Sequence, residues 1–466
     1  MVAETASRPF VNVRAFSGEG ELAFVSRGSL WVLDGQWGTL RRLPVPRGMT
    51  AASPVFSHDG RWLAYLASHP TANGPTTTRL WLANGDGTGA RQVRGIDDPQ
   101  LVGWSPVADV LAVTVGKQSR LELIGPRGSA RTLVALSARQ ARTGSIESAA
   151  WSPNGSQIAV STVGFGGPTS GTIVRAYPIA GGTPTTWFQI RNDRTLSGAR
   201  CPACSGGQVI ADLIGWWPRW GIAFWVFSGG MIHNNDDTPV ALLAHPGAAP
   251  RVLAQTLSSR ATDAIAAGAN GALALVASTG GREIGIGKTV ERCDAAAFSC
   301  TPLPDATVWV GPNGQRCVIP TRPAQHCLGF TIAPAGRPGS GVSLDPAWSP
   351  DASALAYVRA PVALTGGWPS PAWYADHAIY VWNARTATTR RIGAVDGAAV
   401  PSWSRDGRDL LYVSDDGLWL APVPRGRPVE IEHPLFPEQE WKTVQTTGTI
   451  SYYGQIAWTA QFSWWP

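Results

Sequence analysis

Lysine is almost missing from this 466-residue chain: it occurs only at Lys117, Lys288 and Lys442, so nearly all of the 38 basic residues are arginines. Charged residues amount to only 15%, which excludes a charge-patterned coiled coil, and the basic side chains are spread along the chain with no run tight enough to track a phosphate backbone. Nucleic acid is therefore not expected as a partner, despite the formal net charge of +6. Long apolar runs are also lacking. The nearest, Gly221 to Phe227, is too short for a membrane helix and has the composition of a strand. The opening MVAETASRPF has no basic stretch followed by an apolar one, so the sequence reads either as cytoplasmic or as an exported domain without its leader. Histidine is sparse, with seven scattered residues and no pair at i,i+4, and no G-x-S-x-G elbow occurs.

What is abundant is glycine (53), proline (37) and tryptophan (22). Glycine and proline at these levels break helices and serve tight turns, while a hydrophobic fraction of 44% is ample for packed cores. One phrase recurs: FSHDGRWLAY at 56–65, WSPVADVLAV at 104–113, WSPNGSQIAV at 151–160, WSPDASALAY at 348–357 and WSRDGRDLLY at 403–412. Each copy has an aromatic, a serine, a polar turn and an apolar strand, which encodes strand, tight turn, strand. Looser copies begin at 16, 216 and 266, and third strands such as LWVLDG (30–35) and LWLANGDG (80–87) follow. Eight units of four antiparallel strands imply an all-β chain forming a single β-propeller, with seven blades as the fallback.

In such a blade Trp104, Trp151, Trp348 and Trp403 fill the wedge between neighbours. Asp59, Asn154, Asp351 and Asp406 are turn formers whose repetition argues against catalysis. The phrase W-S-P-D-G-x-x-L-A-Y followed by L-W-L-x-x-x-D-G resembles the TolB-type β-propeller repeat, over about residues 10 to 431. The resemblance implies a propeller with an interaction role in the cell envelope and transfers no catalytic residue. TolB itself carries a separate N-terminal domain, for which there is no room before Phe16. The organisation expected is a short N-terminal segment (1–9), a propeller (10–431) with insertions near 188–210, 301–344 and 360–377, and an aromatic tail (432–466). That tail either closes the ring, packs across one mouth, or is a detachable partner-binding segment.

Six cysteines fall into three close pairs, Cys201/Cys204, Cys293/Cys300 and Cys317/Cys327, which suits loop-stapling disulfides and hence an extracytoplasmic location. The C-x-x-C at 201–204 lacks the second motif that zinc needs and the βαβ setting that redox chemistry needs. GREIGIGKT (281–289) misses the P-loop spacing and reads as a strand. His233 to Asp237 would suit Ca²⁺, a solvated hairpin tip being the simpler reading; no other cofactor is expected.

The aromatics outside the repeat are the candidates for binding: Trp216, Trp217, Trp220 and Trp225, and Trp368, Trp373 and Tyr374 inside an insertion. Adjacent indoles on one strand cannot share a face, so one of Trp216 and Trp217 must pack in an unusual place, against an insertion or a ligand. The sequence thus favours a monomeric, non-enzymatic binding propeller engaging a protein or glycan through loops on one face. The alternative is a carbohydrate-active enzyme, lyase or glycosidase-like, with a site assembled across blades.

Overall fold

The computed structural model describes residues 8–69, 77–164, 171–191, 209–228, 238–256, 264–278, 288–303, 309–310, 316–317, 331–332, 341–361, 371–393, 397–435 and 458–466. Eight four-stranded antiparallel blades stand in a ring, and the described residues include two short α-helices, Ala138–Thr143 and Pro371–Ala375. Blade 1 combines Phe462–Trp465 with Glu21–Ser26, Ser29–Asp34 and Thr39–Arg42. Blades 2, 3 and 4 begin at Thr50–Phe56, Gln100–Trp104 and Gly144–Trp151, and blades 5 and 6 at Val209–Trp217 and Ile265–Ala267. Blades 7 and 8 begin at Val342–Trp348 and Ala398–Trp403. First strands of most neighbouring blades touch one another, which sets them around the central axis.

The phrase forms the same turn each time. Ser57, Ser152, Ser349 and Ser404 are buried, and their hydroxyls donate to Asp59 (2.7 Å), Asn154 (2.9 Å), Asp351 (2.7 Å) and Asp406 (2.8 Å). The same hydroxyls accept the backbone N–H five residues on, at Trp62, Gln157, Ala354 and Asp409. The turn carboxylates and Asn154 in turn accept the N–H two residues on, as Ser353 N to Asp351 Oδ1 (3.0 Å) and Arg408 N to Asp406 Oδ1 (3.0 Å). Each buried hydroxyl thereby has both a donor and an acceptor partner within its own turn.

The indoles fasten one blade to the next. Trp104 Nε1 donates to Val55 O (3.0 Å), Trp151 Nε1 to Gly103 O (3.0 Å) and Trp403 Nε1 to Ala347 O (2.9 Å). In each pair the acceptor directly precedes the aromatic of the preceding blade, so the bond repeats with the phrase. The alanines Ala64, Ala112, Ala159 and Ala356 are fully buried and keep the blades thin enough to approach. Blade 6 departs from this pattern. Ala267 occupies the aromatic's register there, opposite Leu273, and Trp348 Nε1 of blade 7 finds no acceptor among the described residues. An indole from blade 5 compensates, since Trp220 Nε1 donates to Gly271 O (2.8 Å) in the first turn of blade 6.

The ring does not end at 431. The final segment supplies the innermost strand of blade 1, with Trp464 opposite Leu22 in the register Trp403 holds opposite Leu410. Trp464 Nε1 donates to Glu19 O (2.6 Å). At the other terminus Phe10–Val11 adds a fifth strand outside Val429–His433 of blade 8. Residues 188–191 and 209–210, expected in an insertion, are strand, because Trp187, Phe188 and Ile190 are buried between blades 4 and 5. Within 301–344, Trp309–Val310, Arg316–Cys317 and Thr331–Ile332 pair as a small sheet.

Cys293 and Cys300 form a disulfide across the last hairpin of blade 6, where the two residues face one another in register. Cys201, Cys204 and Cys327, and the Cys317 side chain, lie outside the described residues, as does the 233–237 run.

Three outcomes follow from these contacts. Trp151→Phe, which removes the indole N–H and keeps an aromatic ring, is expected to cost about 1 kcal/mol in urea denaturation. Removing residues 458–466 is expected to abolish the cooperative melt altogether, because blade 1 then presents an unpaired edge to the axis. An unchanged melting temperature for the shortened chain would show that the ring closes without its last strand. A bridge closing so short a hairpin contributes ~2–3 kcal/mol at most, so reduction is expected to leave the strand signal in circular dichroism intact.

Candidate functional site

Strand directions give the two ends of the ring different characters. Connections from first to second strand and from third to fourth all lie at one end, and the longest spans only 244–250. We call this end the turn face. The chain between Ser68 and Thr78, Arg191 and Val209, Ser228 and Thr238, Ser278 and Lys288, Pro302 and Val342, Ala360 and Ala378, and His433 and Phe462 joins strand ends at the opposite end, the connection face.

At the axis, near the connection face, the first strands are bulged. Registers slip at Ala52/Val55 in blade 2, Leu344/Ala347 in blade 7 and Ala399/Ser402 in blade 8. The bulged residues Ser53, Asp345 and Val400 have φ of 53°, 49° and 48°, and each precedes a proline. Positive φ at a β-branched valine is a strained conformation. Asp345 holds it in place, because its Oδ2 accepts the Val400 N–H (3.1 Å) across the seam. A parallel bond joins blades 4 and 5, from Leu213 N to Ser148 Oγ (2.6 Å).

Around Asp345 stand residues of the Pro371–Ala375 helix and its exit. Trp373 and His377 are edge to face at 4.3 Å, and Tyr374 lies 5.5 Å from His377. Burial lifts the Asp345 carboxyl to about 6, with the Val400 N–H pulling the other way. Burial and then the Asp345 charge raise Tyr374, and burial lowers His377 to about 3, so the imidazole is neutral. A second acid, the buried Glu432, lies at the seam of blades 8 and 1, where neither carboxylate oxygen has a hydrogen-bond partner among the described residues and burial raises it well above the usual range. Ser26 beside it directs its hydroxyl to Pro434 O (2.5 Å). A third, Glu291 of blade 6, is raised by burial to about 8. These acids stand on different blades, and burial raises each of them above the usual carboxylate range.

The aromatics expected to bind a partner are divided between the two faces. Trp216 takes the repeat's own position, opposite Ile222, and meets Trp187 edge-on at 4.9 Å. Trp217 points the other way and packs toward blade 6, so the adjacent indoles serve two seams. Trp220 and Trp225 are buried, the latter donating Nε1 to Thr256 Oγ1 (3.0 Å). Trp373 is buried and donates to Pro361 O (2.6 Å), Tyr374 is half-buried, and Trp368 lies outside the described residues. Trp220, Trp225 and Trp373 are buried, and the Nε1 of each is taken by an acceptor inside the fold, at Gly271, Thr256 and Pro361.

On the turn face, His58, Asp59 and Asp109 offer ligand atoms within 4.8 Å of one another, which is metal-like spacing. Arg61 already pairs with both carboxylates, and Trp62 Nε1 donates to Asp109 Oδ2 (3.1 Å), so a cation there would have to displace a guanidinium. Between blades 7 and 8 the same face opens into a cleft of about 570 Å³, walled by Asp351, Asn383, Arg390, Arg405 and Asp406 with Trp403 against its floor. The cleft was not legible in the sequence, since its basic residues come from a fourth strand and a separate turn. Comparing the register of the fourth strands would have marked Arg390.

No protein-family model and no curated protein matches the chain. Among solved structures it is similar to an oligogalacturonate lyase in complex with manganese, at 13% identity over 91% of this chain and 100% of that one, with a TM-score of 0.44. It is likewise similar to a eukaryotic initiation factor (14%, 92% and 89%, TM-score 0.46). A puromycin-hydrolysing peptidase of Mycobacterium tuberculosis gives 15% identity over 83% of this chain and 55% of that one, with a TM-score of 0.46. None of these likenesses assigns a residue or a ligand to this chain. No described helix is long and apolar enough to cross a membrane.

A carboxyl whose pKa is higher in the folded than in the unfolded chain favours folding only while protonated. For Asp345, with an ordinary value of 3.8, that contribution is complete below about pH 4 and lost as pH rises through about 6. Asp345→Asn keeps an oxygen for the Val400 N–H and removes the charge. It is expected to leave stability unchanged at pH 4 and raise it by roughly 1–2 kcal/mol at pH 7.5 in urea denaturation. An equal effect at both pH values would put the carboxylate in contact with water.

Proposed function

We propose that this protein is a non-enzymatic binding scaffold, related to the TolB-type propellers and working outside the cytoplasm, which engages a protein or an envelope glycan through its connection face. The observation that carries this reading is the asymmetry of the ring: every long connection joins strand ends at one face, while the other consists of short, repeated turns. Loops set on a rigid framework are where recognition usually resides. The Cys293–Cys300 bridge supports an oxidising location. The buried acids support binding over turnover, since Asp345, Glu291 and Glu432 belong to different blades and Asp345 is already engaged by the Val400 N–H.

The test exchanges residues 229–237 and, separately, 362–370 for Gly/Ser segments of equal length. Each variant is assayed on a glycan array and against purified envelope proteins, with thermal melting in parallel. Binding is expected to fall at least tenfold with the melting temperature nearly unchanged. Release of cleaved saccharide or peptide by the intact protein would replace this reading with an enzymatic one. Binding untouched by both exchanges would remove the connection face from the proposal.

A further inference from the structure

The fourth strands carry a repeat of their own. Arg41, Arg91, Arg131, Arg251 and Arg390 occupy one register, each opposite the third-strand residue that pairs with the second-strand alanine: Ala23, Ala64, Ala112, Ala223 and Ala356 respectively. The first four reach across to the third turn of the next blade. Arg41 donates to Asp86 O (3.2 Å), Arg91 to Pro126 O and Arg131 to Ile179 O (2.8 Å), while the Arg251 guanidinium covers the Phe298 ring at 3.6 Å. Arg390 does not. Its seam stands open as the cleft of about 570 Å³, with Val423 and Pro424 of the corresponding turn among the residues that line it, and Arg390 makes no hydrogen bond or ion pair among the described residues.

The lining defines what would fill it. Arg405 supplies a second guanidinium without an ion pair among the described residues. Asp351 and Asp406 are carboxylates held below their usual range, the first chiefly by the Ser353 N–H and the second by the Ser404 hydroxyl. Asn383 uses its Oδ1 on the Arg385 and Thr386 N–H groups (3.0 Å each), which leaves its amide protons for a ligand. A bare phosphate would meet two negative charges, and an apolar ligand would strip water from the guanidinium groups. A molecule with one carboxylate and several hydroxyls suits every wall: guanidinium takes carboxylate in a paired fork, and the carboxylates and amide take hydroxyls. The volume lies within the range of small-ligand sites, about 300–1,000 Å³.

We infer that the cleft between blades 7 and 8 is a binding site for a uronic-acid sugar, with Arg390 as the residue that takes its carboxylate. This site is on the face opposite the one assigned to the partner and does not depend on that assignment.

Calorimetric titration of the full chain with digalacturonate tests it, beside neutral cellobiose, inorganic phosphate and a hexa-aspartate peptide. Digalacturonate is expected to bind, with affinity that falls as salt rises, and the other three are not. Arg390→Gln should weaken binding roughly ten- to a hundredfold while leaving the melting temperature unchanged, because no described contact is lost. Arg405→Gln should weaken it too, whereas Arg385→Gln and the 362–370 exchange should leave it intact. The inference is overturned if millimolar digalacturonate does not bind, if Arg390→Gln binds as well as the parent, or if phosphate or hexa-aspartate binds more tightly than the uronate.

Discussion

An indole N–H crossing to the backbone of the preceding blade is the contact on which the rest of this structure depends. A blade is a thin sheet with two apolar faces, and apolar packing alone would let one sheet slide over the next. The bonds from Trp104, Trp151 and Trp403 remove that freedom, because each has one acceptor at one height along the axis. The buried alanines bring the sheets close enough for the bond to form, and the serine turn sets the strand from which the indole projects. Where blade 6 lacks the aromatic, Trp220 reaches in from blade 5 to do the same work.

Much of this could be read from the sequence, for a physical reason. The turn network runs from Ser152 to Asn154 and Gln157, within a handful of residues, and local hydrogen bonding leaves a local signature that repeats. The strand of the final segment was harder to read, because FSWW pairs with residues far earlier in the chain and lacks the turn that marks the other copies. The roles of Trp216 to Trp225 were obscure for a related reason: WWPRW departs from the phrase in spelling yet keeps its register, and burial depends on the neighbouring blade. Arg390 was the least visible. It differs from Arg41 or Arg131 only in what it fails to touch, and that depends on the next blade.

The two faces divide the demands made on the fold. Turns that must repeat in order to build seams have little freedom to vary, so the turn face departs from regularity in few places, at blade 6 and at the seam of blades 7 and 8. The connection face carries no such constraint beyond the bulges near the axis. Those bulges tilt first strands out of register at Ser53, Asp345 and Val400, and the bond between Asp345 and Val400 fixes two blades where their strain is greatest.

The arrangement of blade 1 also sets the order in which the molecule can be completed. Its three outer strands, from Glu21 to Arg42, are synthesised before the four strands of every other blade, and its axial strand after them all. The bond from Trp464 to Glu19 spans 445 positions, so throughout synthesis the apolar flank of Leu22 and Phe24 has no permanent neighbour on that side. Seven blades can assemble as they emerge, each on the one before, but the eighth must wait as a three-stranded sheet with an open edge. Closure then comes as a single late step, after which Phe462–Trp465 cannot leave without opening the ring.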